Sequence, residues 1–553
     1  MMLSLLSLAL QLHVAARLDT AHVRERAHAI QATFERSRRA RLPVTLGGGG
    51  RCDVRVGRFC WWYEDDRLPP VAEPEAITRA RDDLVTALDS LGIESPADPF
   101  IAGLRVHYRV EGRHWDDAAR VAQSCVTAAW WCGTLRGYAA TAAGRAALAD
   151  SAFAAALRDM PDSTRCAWTD IRVILPAPAR EGYERLPCTA RDTVERRYWM
   201  LATPRLGAEA NEWRLEYFAR RVVVTVLASA LTPHRLAWGS DTEELVLRYG
   251  WPLSWSRTLP GPLSTAEPDI VGHDPAPSFH HGAVEGLLRD PAASSSDSWN
   301  LADVRAESRF AHPHIGRIAP MTAQVARFRR GDSTLLVASY ATGDDSLAAA
   351  TAVLGIARAT GQFTSRVIGS GRRGTGTLTV TGDVAMAGVE LLDTTTGSFG
   401  RTRHLWPPPS NAPEALSDVL LHDSEERGAE SLEDALAQAM PGTAIVRTRP
   451  VGLYWEVYGT RAGGDSLGTA IRVERLDQGV VASIRERLGF ADPESPVQVH
   501  WTEARPPSAG VTRRSLSLDL ARLPAGRYRI GLSVNGAAPG PLTRQVEVEL
   551  VDP

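Results

Sequence analysis

The chain is expected to be a multidomain α+β protein, helical in its first part, mixed in its centre and built of strands toward the C-terminus. Three observations predict this. Ala-rich amphipathic segments of helical period fill residues 75–160. Beyond residue 316 apolar residues alternate with polar ones, as in Tyr528, Ile530, Leu532 and Val534. All six cysteines fall in the first 190 of the 553 residues. That length allows about three or four domains of ~150 residues. The 44% hydrophobic and 23% charged composition can bury ordinary cores. With 62 basic and 65 acidic residues the net charge is −3, so no nucleic-acid partner is expected. Every basic residue is arginine. The absence of lysine excludes a P-loop lysine, a Schiff base, a Ser-Lys dyad and the kinase phosphate lysine.

Residues 3–14 are almost wholly apolar, and Val14 and Ala16 sit at the small-residue positions of a signal-peptidase site. The run is shorter than the ~20 residues a membrane span needs. Residues 1–16 are therefore expected to be a signal peptide, the competing reading being a buried N-terminal helix. No transmembrane span is expected in the mature chain, and a periplasmic or secreted location follows. Residues 17–50 read as an Arg-rich helix with a solvated cationic face, closed by a four-glycine linker at 47–50.

Cys52, Cys60, Cys125, Cys132, Cys166 and Cys188 are an even set confined to one region, the pattern of local disulfides in an oxidising compartment. Six cysteines allow 15 pairings; the sequential one (52–60, 125–132, 166–188) is expected. The rival, a zinc site, lacks any CxxC or histidine at ligand spacing. Cys52 and Cys60 bracket Gly57, so 51–70 is read as a disulfide hairpin.

Residues 71–165 carry a repeat. Glu111-Gly112-Arg113 recurs as Ala143-Gly144-Arg145 at an offset of 32, each between two amphipathic segments. This suits a tetratricopeptide-like helical repeat of period ~34, a type of scaffold used for binding. Trp131 and Tyr138 are its large core positions.

In 166–260, residues 211–220 open a helix to about 230, ended by Pro233, with Glu216 and Arg220 as a surface i,i+4 ion pair. Leu215, Phe218 and Val222 line its apolar face. Ala237-Trp238-Gly239-Ser240-Asp241 follows, and then 245–252 reads as a strand ending at Tyr249-Gly250-Trp251-Pro252. This combination resembles the GWxTD domain of exported bacterial proteins, with Trp238, Ser240, Asp241, Tyr249, Gly250 and Pro252 on its motif positions. The resemblance covers about an eighth of the chain. It implies a central α/β domain in an exported multidomain protein, and no catalytic residue.

Residues 261–315 are rich in Pro, Ser, Asp and His and are read as a linker. The segment 316–410 is a first β domain. The segment 411–553 is an antiparallel, immunoglobulin-like β-sandwich with a short helix at 431–440.

Candidate chemistry is sparse. His273, His280, His281, His312 and His314 concentrate in the linker, where exposed, unliganded histidines are expected and no metal site is assigned. Gly369-Ser370-Gly371-Arg372-Arg373-Gly374 matches GxGxxG, but a strand follows where a dinucleotide site needs a helix, so it is read as a hairpin loop and no cofactor is expected. Arg330-Gly331-Asp332 is a turn before a strand. Eleven of the 15 tryptophans lie between 61 and 255; core packing is the expected use, with Trp251 and Trp255 the best candidates for a ligand groove. The functional expectation is an exported, non-enzymatic scaffold that binds other envelope proteins. The alternative is a hydrolase or carbohydrate-active protein with a site between the central and first β domains.

Overall fold

The computed structural model describes residues 2–45, 53–61, 71–258, 269–274, 276–282, 288, 301–302, 306–406, 415–424, 428–460, 466–476, 497–504, 510–538 and 540–553. The fold is mixed α+β, and the chain divides into two units, residues 1–290 with 297–316 and residues 291–296 with 317–553.

The first unit opens with helix α1 (Met2–Arg41), the short strand β1 (Val44–Thr45) and a hairpin of β2 (Val54–Val56) and β3 (Phe59–Trp61). Helices α2 (Glu75–Glu94), α3 (Pro99–Glu111), α4 (Trp115–Gln123), α5 (Ala129–Ala142) and α6 (Ala146–Asp159) follow. Asp98 starts α3 by accepting from the Phe100 and Ile101 amides, and Pro99 occupies the first turn, where its missing N–H costs nothing. The turns of the two helical hairpins, α3–α4 and α5–α6, close with one hydrogen-bond pattern. His114 N–H donates to Arg109 O and Gly112 N–H to Tyr108 O; Arg145 donates to Ala140 and Ala143 to Ala139. The structural repeat is thus 31 residues rather than the 32 read from the Gly-Arg pair. Arg113 (φ +60°) takes the left-handed position that Gly144 (φ +70°) holds in the second turn.

Helices α7 (Asp162–Thr169), α8 (Ala177–Glu184) and α9 (Cys188–Leu201) lead to α10 (Glu212–Leu227), whose N-cap Asn211 accepts from the Arg214 amide at 3.0 Å. Twelve of its 16 residues are buried, so α10 is a core helix rather than an amphipathic surface one. That changes the role of Arg220. It does pair with Glu216 at 2.8 Å, but it is buried, and its remaining donors go to the carbonyls of Leu247, Arg248 and Arg309. The helix ends at Leu227, several residues before Pro233.

Of the run expected as a strand at 245–252, residues 245–249 belong to helix α11 (Ser240–Tyr249) and 250–252 follow its end. Acids at 241 and 243 favour its first turn. Buried Thr242, Val246 and Tyr249 recur at i, i+4, i+7, a spacing that prevails over the β propensity of the short apolar run. Strands β4 (Ser254–Thr258) and β5 (Ile270–His273) then complete a three-stranded sheet with β1. The described residues of 261–315 pack within this unit: Phe310, Ile315, His281 and His312 are buried, in place of the exposed linker expected.

Cys125–Cys132 and Cys166–Cys188 are disulfides. Cys60 is also disulfide-bonded, and Cys52, its expected partner, lies outside the described residues, as does the glycine run at 47–50. Among the described residues no helix is long and apolar enough to cross a membrane.

Among its described residues the second unit is built of strands with one α-helix and a short 3-10 turn at Asp345–Leu347. Strands β6 (Arg317–Ile318), β7 (Thr322–Arg330), β8 (Ser333–Ala341), β9 (Thr351–Ala357), β10 (Phe363–Ser370), β11 (Arg373–Thr381), β12 (Met386–Asp393), β13 (Ser398–Arg401) and β14 (His404–Leu405) form two sheets. One has the order β10-β9-β12-β13-β6, with β14 on β12; the other is β11-β8-β7. They share a core of Leu336, Ala338, Tyr340, Leu354, Ile356, Val389 and Leu391. Gly331 (φ +61°) and Asp332 make the two-residue turn from β7 to β8. The glycine-rich 369–374 stretch links β10 to β11, which lie in different sheets, so it is a corner between sheets and not a hairpin loop.

Strands β15 (Ala415–Leu416) and β16 (Leu420–Asp423), helix α12 (Leu432–Ala437) and strands β17 (Ala444–Val446), β18 (Val451–Thr460), β19 (Leu467–Arg475), β20 (Val497–Glu503), β21 (Gly510–Leu518), β22 (Gly526–Asn535) and β23 (Leu542–Val551) complete the chain. One sheet places β15, β16 and β21 around β18; the other runs β17-β23-β22-β19-β20, with β17 parallel to β23. Leu453, Trp455, Ile471, Leu518, Ile530, Leu532 and Val548 form the core between them. The outer face of β7–β8 is not exposed. Phe328 and Val337 pack with Leu420, Leu432, Ala435 and Tyr454 in a further buried cluster, and α12, opened by a Ser431–Asp434 capping box, helps cover it.

Candidate functional site

In the first unit a cavity of about 230 Å³ lies among the β2–β3 hairpin, α11 and β5. Its walls are Phe59, Trp61, Leu245, Val246, Tyr249, Pro252, Ile270 and Val271, with Arg58, His234, Arg235, Asp269 and Asp274 as polar lining groups. Trp61 stacks on Tyr249 with ring centroids 4.2 Å apart. The hairpin is fixed to α11 through one carboxylate. Asp241 accepts from Arg58 Nε at 2.6 Å, Arg58 Nη2 at 2.7 Å and the Arg58 amide at 3.1 Å, and these bonds hold its carboxyl down at about 2. Gly57 makes this approach possible: its φ is +53°, and a Cβ there would meet Asp241 Cβ at 2.5 Å. Burial pushes His234 down to about 4, so it presents a neutral ring. The cavity suits an apolar side chain or small ring.

The motif residues divide between roles. Asp241 anchors the hairpin, while Tyr249, Gly250 and Pro252 line the cavity. Gly250 (φ +93°) ends α11, and its N–H donates to Val246 O. Half-buried Trp238 and exposed Ser240 lie on the approach to α11, outside the cavity lining. Trp255 is buried and Trp251 half-buried; both rings meet His234 edge-on, and Trp251 Nε1 donates to Glu111 Oε1 at 3.2 Å. They pack the interior behind the cavity instead of forming a groove. His273 Nε2 lies 2.7 Å from Ser256 Oγ, but that serine is fully buried between strands and also bonds Thr45 at 2.9 Å. His312 bonds Glu212 at 2.8 Å. No group of three or more potential ligands that could hold a metal occurs among the described residues.

A buried ionic cluster behind the cavity has no counterpart in the sequence reading. The lower half of α1 was expected to be solvated, yet Gln31, Glu35 and Arg38 are each 1% exposed. Arg38 grips Glu111 with two bonds, 2.8 and 2.6 Å, and Arg81 Nε joins the same carboxylate at 3.0 Å. Arg81 also bonds Glu73. Burial alone would raise Glu111, but Arg38 and Arg81 hold it well below the usual carboxylate range. Glu35 accepts from the Tyr108 hydroxyl at 2.7 Å, its other oxygen has no hydrogen-bond partner, and burial pushes it up to about 7. Gln31 bonds Tyr108 and both backbone groups of Leu231. The signal available in the sequence was the i,i+3 spacing of Glu35 and Arg38 beside apolar Phe34 on an otherwise basic helix.

No family model and no curated protein matches this chain. Among solved structures, one titled the structural basis of neurohormone perception by the receptor tyrosine kinase Torso is 10% identical, covering 42% of this chain and 74% of that one, with a TM-score of 0.12. A similarity at that score carries no argument about fold or activity.

Proposed function

We propose that the chain is an exported, non-enzymatic scaffold that binds other envelope proteins, with residues 1–16 as its signal peptide. The observation that carries the reading is the Cys125–Cys132 disulfide, which ties the end of one helical hairpin to the start of the next. A repeat scaffold stapled in this way belongs to an oxidising compartment, and stacked helical hairpins are binding surfaces. The two stacked helical hairpins with equivalent turns support a tetratricopeptide-like segment, at a register of 31 residues that is shorter than the ~34 of that repeat. The placement of Tyr249, Gly250 and Pro252 around one cavity anchored by Asp241 supports the GWxTD-like reading of the centre. An immunoglobulin-like reading of the last sandwich is supported by the parallel β17–β23 pair and by Tyr528, whose hydroxyl donates back to Pro524 O at 2.9 Å, the bond of a tyrosine corner.

The test is intact mass of protein from the envelope fraction, native and reduced, followed by photocrosslinking from position 148 on α6, where Leu148 is 60% exposed. Loss of residues 1–16, a gain of about six mass units on reduction and one discrete crosslinked protein are expected. A full-length, unoxidised cytoplasmic product would overturn the reading.

A further inference from the structure

We propose that the edge formed by β10 and β11 in the second unit docks an extended acidic segment of a partner protein, which adds to β11 as a further strand. The inference rests on the reading of the chain as an interaction protein and names one of its surfaces. Strand β11 pairs with β8 in unbroken register over nine residues, Arg373↔Ala341 to Thr381↔Ser333, and has no strand on its other side among the described residues. Open edges of this length are normally protected by a charge, a proline or a bulge. The neighbouring edge strand β10 has a bulge between Val367 and Gly369. After Arg373, β11 itself carries no charge, proline or bulge, its sequence being Gly, Thr, Leu and Val alone; β10 packs against it at Gly376, where a Cβ would lie 2.4 Å from Ile368 Cβ, and Arg366 of β10 reaches its Thr377 carbonyl.

Charge selects the partner. From Asp345 to Asp383 the chain carries Arg358, Arg366, Arg372 and Arg373 and no acid between them. Arg358 reaches the Asp383 carbonyl, and Arg372 pairs with Asp345. Arg366 and Arg373 are exposed and have no ion-pair partner among the described residues. Arg366 Nη1 only touches the Thr377 carbonyl on β11 at 3.4 Å, a contact a carboxylate would replace. On β10 itself, Val367 is 61% exposed and offers apolar area to an incoming strand.

An extended peptide supplies what this edge lacks: backbone groups for β11 and carboxylates for Arg366 and Arg373.

The probe is a fluorescein-labelled peptide of about ten alternating Glu and Val residues, a strand's length, titrated against the full chain by anisotropy. Binding that weakens at about 0.5 M salt, where the Debye length shrinks to a few ångströms, is expected. Arg366→Glu with Arg373→Glu should weaken it by about tenfold or more, each exposed reversal setting like charges together, while the thermal midpoint stays unchanged. The same peptide N-methylated at alternate residues cannot complete a ladder and should also lose about tenfold. Equal binding of the methylated peptide, or equal binding by the double variant, overturns the proposal. So does tighter binding of a heparin fragment, which would make the surface a polyanion site. None of these results touches crosslinking from position 148, so this proposal and the scaffold reading fail separately.

Discussion

Glu35 allows the most direct test of the buried cluster. Arg38 and Arg81 carry two positive charges, and Glu111 and Glu73 already balance them. Burial at 1% exposure raises Glu35, and although Arg38 Nη2 lies 3.3 Å from its Oε1, that guanidinium is already bonded twice to Glu111, so the carboxyl keeps its proton up to about 7 against an ordinary 4.5. A raised native value means that the stability is fully present below pH 4.5 and lost as pH rises through 7, amounting to about 3 kcal/mol. The groups facing Glu35 are Arg38 and Arg39 on α1 and Tyr108 and Glu111 on α3. His107 and His234 titrate in the opposite sense. Burial holds each near 4, so their contribution is present above pH 6.5 and lost as pH falls through 4. Together the two histidines, at about 7 kcal/mol, outweigh the about 3 kcal/mol of Glu35 in the wild-type curve, so the quantity to measure is its difference from Glu35→Gln. The amide keeps the bond from Tyr108, and any cost of its own N–H is the same at every pH. Urea unfolding of the full chain with disulfides intact, followed by tryptophan emission, reports on this unit because eleven of the 15 tryptophans lie between 61 and 255. Glu35→Gln should gain on wild type by about 3 kcal/mol between pH 4.5 and 7.5. Parallel curves would refute the reasoning and make Glu35 an ordinary ionised partner of Arg38.

Gly57→Ala sets a Cβ against Asp241 at a positive φ, costs about 1–2 kcal/mol locally, and should expose the β2–β3 hairpin to limited proteolysis while the strands of the second unit stay protected. Cys125→Ser with Cys132→Ser opens a short loop worth about 2–3 kcal/mol, read as a lower urea midpoint for the first unit only. Tyr528→Phe removes the bond to Pro524 and should lower the stability of the second unit by about 1 kcal/mol, visible as a shift of that unit's single thermal transition with no new proteolytic site.

The strands were the most legible part of the sequence, because burial on one face prints a period of two, as in Tyr528 to Val534 on β22 and Val546 to Leu550 on β23. The helical hairpins were nearly as clear, but their register was not. Arg113 occupies a left-handed turn position that glycine takes in the second copy, so aligning glycines misplaced the repeat by one residue. What failed was burial of charge. Arg220, Arg38 and Glu111 have the composition of a surface, and only contacts from distant segments, such as the carbonyls of Arg248 and Arg309, turn them inward. The cavity was half legible. Asp241, Tyr249, Gly250 and Pro252 were singled out, whereas the need for Gly57, Arg58 and Trp61 beside them depends on a hairpin some 180 residues upstream.

The cluster of Phe328, Val337, Leu420 and Tyr454 has a consequence for how the second unit melts. Arg330 bonds the fully buried Glu456, Arg327 grips Asp418, and Gln324 donates to the carbonyls of Leu421 and Met440. A cut at 407–414 would bare that apolar face on both fragments and take from the buried Glu456 carboxylate its closest arginine, leaving only Arg513, at 3.8 Å, among the described residues. The two sandwiches therefore share one cooperative transition, and the smallest piece that folds as it does in the whole chain begins near Arg317 and runs to the C-terminus.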